Sequence, residues 1–227
     1  MFDLAGADPA RRFSPYCWRI KMALAHKGLE VETIPWRFTD KDVIGFSHQG
    51  RVPVLLDGER VVWDSWTIAN YLEDTYPERP SLFGGAGGRA AIRFINGWGD
   101  AGLHRAMFRL VLIDILHHVH EKDRAYFRES REKQVGMTLE EASADRDARV
   151  HVFRASLDPI RIMLRTQPFY GGAAPNYGDY IAFGAFQWAR CVSPFRLLEE
   201  NDPVHAWRER LLDLHDGLAR RALGYPV

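Results

Sequence analysis

The sequence predicts an α/β domain built on a small mixed sheet of four strands, followed by an all-helical domain. Three observations carry this expectation. Residues 1–83 alternate short apolar runs with helical patterns in the order β-α-β, a loop or short helix, β-β, α. Residues 84–88 hold four glycines in five positions and read as a linker. Over residues 89–227 no strand-like alternation persists.

Each element has its own signal. Residues 1–4 form a brief strand-like run, and a polar loop with Arg11 and Arg12 follows. Ser14-Pro15 looks like a helix start, with serine at the N-cap and proline at the first helical position. Cys17, Ile20, Ala23 and Leu24 share one face, and Gly28 is a stop signal. Residues 31–36 read as the second strand and 52–56 as a buried third. Asp57-Gly58 is a hairpin turn leading to a returning strand at 61–63. Asp64-Ser65 opens a helix that Pro77 closes. In the second half, residues 89–121 form a long helical stretch loosened by Gly97, Gly99 and Gly102, and residues 121–123 read as its solvated end. Thr138-Leu139-Glu140-Glu141 has capping-box spacing for a helix running towards Arg165. Asn176 to Asp179 has the analogous spacing before the apolar run 180–188, and a last amphipathic helix covers roughly 203–222.

Bulk properties narrow the function classes. The 227 residues suit two modest domains, and 46% hydrophobic with 26% charged residues is the composition of a folded chain. Thirty basic and thirty acidic residues cancel, so no global field draws in nucleic acid or an anionic membrane. Two cysteines, Cys17 and Cys191, form neither a disulfide framework nor a thiolate zinc site. No secretory signal or membrane-length apolar run is visible, so a cytoplasmic protein is expected.

Three motifs in order resemble the glutathione transferase family. Phe13-Ser14-Pro15-Tyr16-Cys17-Trp18 is similar to the active-site turn of its serine-type members, and Arg51-Val52-Pro53-Val54 to its cis-proline loop. Asp64-Ser65-Trp66 resembles its acidic-serine motif, and Asn176-Tyr177-Gly178-Asp179 its capping motif. The combination is most similar to the bacterial β-etherase-like branch and its fungal etherase-related cousins. The resemblance implies a thioredoxin-like first domain, glutathione as co-substrate, and a homodimer.

The chemistry of these residues suits that implication. A thiol with a pKa near ~8.5 is mostly protonated at neutral pH, yet the thiolate is the nucleophile. A charge-assisted hydrogen bond from the Ser14 hydroxyl is worth about 1.5–3 kcal/mol, which lowers a thiol pKa by roughly one to two units. Taken alone, Ser14 reads equally well as an N-cap. The resemblance implies a cis bond at Pro53, which would present the Val52 main chain to the cysteinyl unit of glutathione as if to an added strand. Asp64 suits the γ-glutamyl ammonium, and Ser65 with its helix start suits the carboxylate. Arg51 and His48 are candidates for the glycyl carboxylate.

The electrophile site is expected between the domains, facing Ser14. Its candidates are Phe13, Tyr16, Trp36, Trp98, His104, Met107 and Phe108, which together describe an apolar, aromatic-accepting pocket. Cys17, with serine three residues before it, reads as buried and inert. His117, His118 and His120 lie near Asp114, but no metal is expected without a further ligand at definite spacing. The expected function is a glutathione transferase acting on hydrophobic, aromatic electrophiles, with β-aryl ether cleavage its most specific form. The alternative is a non-catalytic glutathione-binding or regulatory module, since this fold serves unrelated roles.

Overall fold

A computed structural model describes all 227 residues. Four strands, β1 (Phe2–Leu4), β2 (Ile34–Trp36), β3 (Val54–Asp57) and β4 (Arg60–Trp63), form one mixed sheet in the order β2-β1-β3-β4. β1 and β2 are parallel, joined across helix α1 (Pro15–His26); β3 and β4 are the antiparallel hairpin around Asp57-Gly58. Helix α2 (Ser65–Thr75) completes this domain. Strand ends differ from the sequence expectation by one or two residues, except that β2 starts three residues later than expected, at Ile34.

The helical half differs more. Helix α3 (Ala86–Trp98) begins inside the expected linker, with Gly87 and Gly88 in its first turn. Glycine costs about 1 kcal/mol per helical position, and burial of Ile92 and Asn96 lower in the helix overrides that local preference. A π-helical turn, Gly99–His104, then separates α3 from α4 (Arg105–His118). The segment read as a solvated end is also different. Val119 turns extended, a short 3-10 turn covers Glu121–Asp123, and Asp123 is buried at 1% exposure. Its carboxylate accepts the N–H groups of Phe38 (3.0 Å) and Thr39 (3.2 Å) and the Thr39 hydroxyl, so it fastens the chain after β2 to the helical domain. Helix α5 (Arg124–Val135) follows.

The single helix expected from Thr138 to Arg165 is three: α6 (Leu139–Ser143), α7 (Arg146–Ala155) and α8 (Asp158–Leu164). The capping box at Thr138 and Glu141 is present. Pro159 opens α8 and cannot continue α7, because its ring removes a backbone donor; nothing local explains the first break. Helix α9 (Tyr177–Val192) is the buried centre of the domain and starts at the expected Asn176–Asp179 capping box. Asp179, fully buried, accepts from the N–H groups of Asn176, Tyr170 and Gly171 and from the Trp207 indole. Helix α10 (Pro203–Gly217) loses regular geometry at Leu214, short of the expected end.

The domains join where α1 packs along α9. A Cβ on Gly184 would lie 2.5 Å from the Pro15 carbonyl oxygen and 3.0 Å from Arg19 Cγ. A Cβ on Gly99 would lie 2.6 Å from Ile181. These glycines let α1, α9 and the π-turn approach closely. Arg19, with no exposed surface, threads between them to reach Asp100 (2.8 Å) and Asn96 (3.4 Å). Gly184→Ala is expected to cost about 1–3 kcal/mol, because a backbone oxygen cannot move aside, lowering Tm by several degrees. Gly97→Ala, with nothing within 4 Å of the new methyl, is expected to stabilise by up to about 1 kcal/mol. Thermal unfolding of the two variants checks this, and equal shifts would refute it.

Candidate active site

The strand register gathers the three sequence motifs. Phe2 faces Val54 across the antiparallel β1–β3 pair, and Val54 faces Trp63 across β3–β4. Continuing that register past the strand ends sets Val52 beside the end of β1 and Pro53-Val52 beside Asp64-Ser65. The Phe13 N–H donates to the Leu4 carbonyl (3.2 Å), which turns Ser14 back over the same sheet end. Motifs fifty residues apart in the chain therefore share one edge.

Ser14 is the N-cap of α1. Ser14 is buried; its Oγ accepts the Cys17 N–H at 3.1 Å, and its O–H is donated to no oxygen or nitrogen of the chain, the Cys17 sulfur being the acceptor near it. Capping uses the lone pairs and leaves the proton available, so the two sequence readings coexist. Cys17 is fully buried, and burial raises its thiol pKa well above the usual range. The Val52-Pro53 bond is cis. Neither the Val52 N–H nor its carbonyl is hydrogen-bonded within the chain, because the ladder of β3 begins only at Val54. Asp64 caps α2 with φ +71, an uncommon conformation for a residue other than glycine. Its Oδ1 accepts both the N–H (2.9 Å) and the hydroxyl (3.1 Å) of Thr67, while Oδ2 has no partner. Ser65 is buried, and its carbonyl accepts the Tyr177 hydroxyl at 2.9 Å, so the first turn of α9 steadies the start of α2. His48 ends a 3-10 turn (Lys41–Ser47) in the left-handed conformation, and both it and Arg51 are exposed. These residues can bind a peptide along an edge and place a thiol beside a free O–H.

The expected electrophile residues divide. Tyr16, His104 and Phe108 come together: the Tyr16 and His104 rings lie 5.9 Å apart, and His104 and Phe108 6.1 Å. Phe13 is buried and packs on Phe38 at 6.2 Å. Trp36 is buried with its indole N–H on the Asp40 carbonyl, and Met107 is wholly in the core. Trp98 lines a separate cavity of about 300 Å³ between α3 and α8, with Phe94, Ile160 and Met163. Periodicity shows that such residues are apolar and inward, not which inward space they line. Three residues not expected from sequence join the wall. Trp188 of α9 stacks on His104 at 4.7 Å, Phe38 lies beyond Phe13, and Arg131 of α5 sits over Phe38 at 5.4 Å. Only the approach of α5 and α9 to the first domain marks them out. The histidine cluster is otherwise engaged: His118 bonds Tyr225, His120 caps the 3-10 turn, and Asp114 holds Arg146 and Ser193. No helix is long and apolar enough to cross a membrane.

The family profile "Glutathione S-transferase, C-terminal domain" matches residues 90–224, and "Glutathione S-transferase, N-terminal domain" matches residues 13–75. Glutathione S-transferase Z2 of Arabidopsis thaliana is 42% identical over 69 residues, 28% of this chain and 31% of that one. The alignments with the leading curated relatives thus span about a third of those proteins. A glutathione S-transferase of Ceriporiopsis subvermispora, solved in complex with glutathione, superposes with TM-score 0.83 at 23% identity over 95% of each chain. Glutathione transferase GSTFuA3 of Phanerochaete chrysosporium superposes with TM-score 0.76 at 24% identity, over 95% of this chain and 90% of that one. Both likenesses are of fold.

The rings of the aromatic wall carry no charge themselves, although the Arg19 guanidinium lies 4.7 Å over the Tyr16 ring. Burial, then the nearby Arg19 charge, pushes the His104 pKa from 6.5 to about 4, and burial followed by the Asp100 charge raises that of Tyr16. His104 is therefore neutral at physiological pH. In the unfolded chain it takes up a proton near 6.5, so folding stability falls as pH drops from there towards about 4, by on the order of 2–3 kcal/mol. His104→Phe is expected to lose correspondingly less stability across that window. Urea unfolding at several pH values measures the difference, and parallel curves would remove His104 from this role.

Proposed function

The chain belongs to the glutathione S-transferase family, and from that premise we propose that it is a serine-type transferase conjugating glutathione to hydrophobic aromatic electrophiles. The observation that carries the reading is the Ser14 hydroxyl: its oxygen accepts the Cys17 N–H, and its proton goes to no oxygen or nitrogen of the chain, at the end of the sheet where the three motifs meet. Val52 would pair its free N–H and carbonyl with the cysteinyl unit. Asp64 would offer Oδ2 to the γ-glutamyl ammonium, and the start of α2 would receive the neighbouring carboxylate. Arg51 and His48 would lie towards the glycyl end.

Glutathione supplies the nucleophilic sulfur; Ser14 holds its charge. Donation from the hydroxyl, aided by the N–H groups and dipole at the start of α1, favours the thiolate by roughly one to two pKa units. Tyr16, His104, Phe108 and Trp188 would present an uncharged aromatic wall to the electrophile. Cleavage of a β-aryl ether, with the aryloxide leaving as sulfur bonds to carbon, is the narrowest version and rests on motif resemblance alone. The homodimer and cytoplasmic placement expected from sequence belong to the same proposal.

Ser14→Ala is expected to raise the pKa of bound glutathione by one to two units and to cut conjugation of 1-chloro-2,4-dinitrobenzene at neutral pH by about tenfold or more. The ultraviolet absorbance of the thiolate, titrated on the loaded protein, reads the first directly; an unmoved titration sinks the serine mechanism. Asp64→Ala is expected to weaken glutathione binding by about tenfold through loss of one charged hydrogen bond. Calorimetric titration checks it, and unaltered affinity would dissociate Asp64 from the peptide.

A further inference from the structure

Charged side chains taken from water in this chain are normally paired. Arg19 meets Asp100, Arg161 meets Asp202 at 2.6 Å, and Arg146 meets Asp114 at 2.9 Å. Half-buried arginines without a carboxylate, Arg11, Arg37, Arg109 and Arg190, donate to backbone carbonyls instead, and Arg131 departs from both patterns. It is half-buried, yet no carboxylate lies within ion-pair distance, and its one side-chain hydrogen bond goes to the adjacent Ser130 hydroxyl at 3.2 Å. Its guanidinium instead rests on two ring faces, Phe127 at 5.1 Å and Phe38 at 5.4 Å. Stacking offsets part of the cost of removing the cation from water but leaves its in-plane N–H donors unmatched.

Its place in the fold is specific. Phe38 is pinned by Asp123 and packs on Phe13, the residue before Ser14. Burial lowers the Arg131 pKa, Tyr126 opposes that and the Arg51 charge adds to it, while the Arg131 charge is a minor contributor to the lowered His104 pKa after burial and Arg19. Through Phe38, which packs on Phe13 beside Ser14, Arg131 lies on the Ser14 side of the helical domain. Lys41 is a further cation against α5, its ammonium 5.0 Å from the Tyr126 ring.

We propose that Arg131 receives an anionic group of the electrophile, so that the preferred substrates are aromatic acids, bearing a carboxylate or sulfonate, rather than neutral aromatics. The inference rests on the conjugation reading above and narrows it. Glutathione's own anionic groups have other hosts, the start of α2 and Arg51. A planar guanidinium can form two parallel hydrogen bonds with a carboxylate, and stacking on Phe38 fixes its plane beforehand. In the reaction, the thiolate sulfur bonds to the ring carbon carrying the leaving group, which departs with its electron pair. The acid group stays ionised throughout.

The test compares charge-paired probes on glutathione-loaded protein. Fluorescence titration with 8-anilinonaphthalene-1-sulfonate and with neutral N-phenyl-1-naphthylamine gives an affinity ratio without turnover. Arg131→Gln is expected to lower the sulfonate-to-neutral ratio by about tenfold, Arg131→Lys to restore part of it, and high salt to lower it in the unmutated protein. The ratio of kcat/KM for 4-chloro-3,5-dinitrobenzoate over 1-chloro-2,4-dinitrobenzene is expected to fall in parallel. An affinity ratio that neither Arg131→Gln nor salt changes overturns the proposal, as does a loss that falls on glutathione affinity instead. If neither chloride is turned over, the conjugation reading fails while the probe ratio still decides the anion site.

Discussion

The Pro15 carbonyl resting against Gly184 is the contact on which the rest of the molecule depends. It is possible only because α9 has no side chain at that position, and it sets the start of α1 directly on the buried helix of the second domain. Ser14 is the residue before that contact, so the candidate thiolate donor is positioned by both domains at once. Arg19, one turn further on, is drawn through the same gap to Asp100. A buried cation needs a partner, and here the partner lies in a π-turn of the other domain. The widened turn and the missing side chains at Gly99 and Gly184 are two parts of one packing solution.

The cleft that results has two kinds of wall. On the sheet side the recognition groups are largely main chain and helix caps: the Val52 amide, the starts of α1 and α2, and Ser14 as cap. Backbone groups suit a peptide, whose shape is constant. On the helical side they would be side chains, His104, Phe108, Trp188 and Arg131, met by Tyr16 of α1 and by Phe38 from the connection after β2. Side chains can change without altering the fold, which suits a surface that chooses among small molecules. Asp123 ties the two, since its carboxylate orders the Phe38-Thr39 segment on which Arg131 rests.

The sequence-level expectations succeeded where signals were local. Ser14-Pro15, Asp57-Gly58, the two capping boxes and the Asp64-Ser65 helix start all lie where short-range hydrogen bonding requires them. The three site motifs follow because each is a cap or a turn, and the sheet register then assembles them. Expectations failed where long-range packing decided. The glycines at 87 and 88 are helical because Ile92 and Asn96 are buried below them. Asp123 reads as a solvated charge until its distant partners at Phe38 and Thr39 are seen.

What the sequence by itself determined is thus the sheet-and-bundle architecture and the sheet-edge residues suited to a peptide thiol, because caps, turns and period-2 runs act within a few residues of themselves. What only the tertiary structure decided is the opposite wall. Trp36, Trp98 and Met107 turn away from Tyr16, His104 and Phe108, while Trp188 stacks on His104, Phe38 packs on Phe13 and Arg131 lies over Phe38. Those placements are set by how α4, α5 and α9 lie against the first domain, and inter-helix packing leaves no periodic mark that distinguishes a buried face from a face lining a cleft.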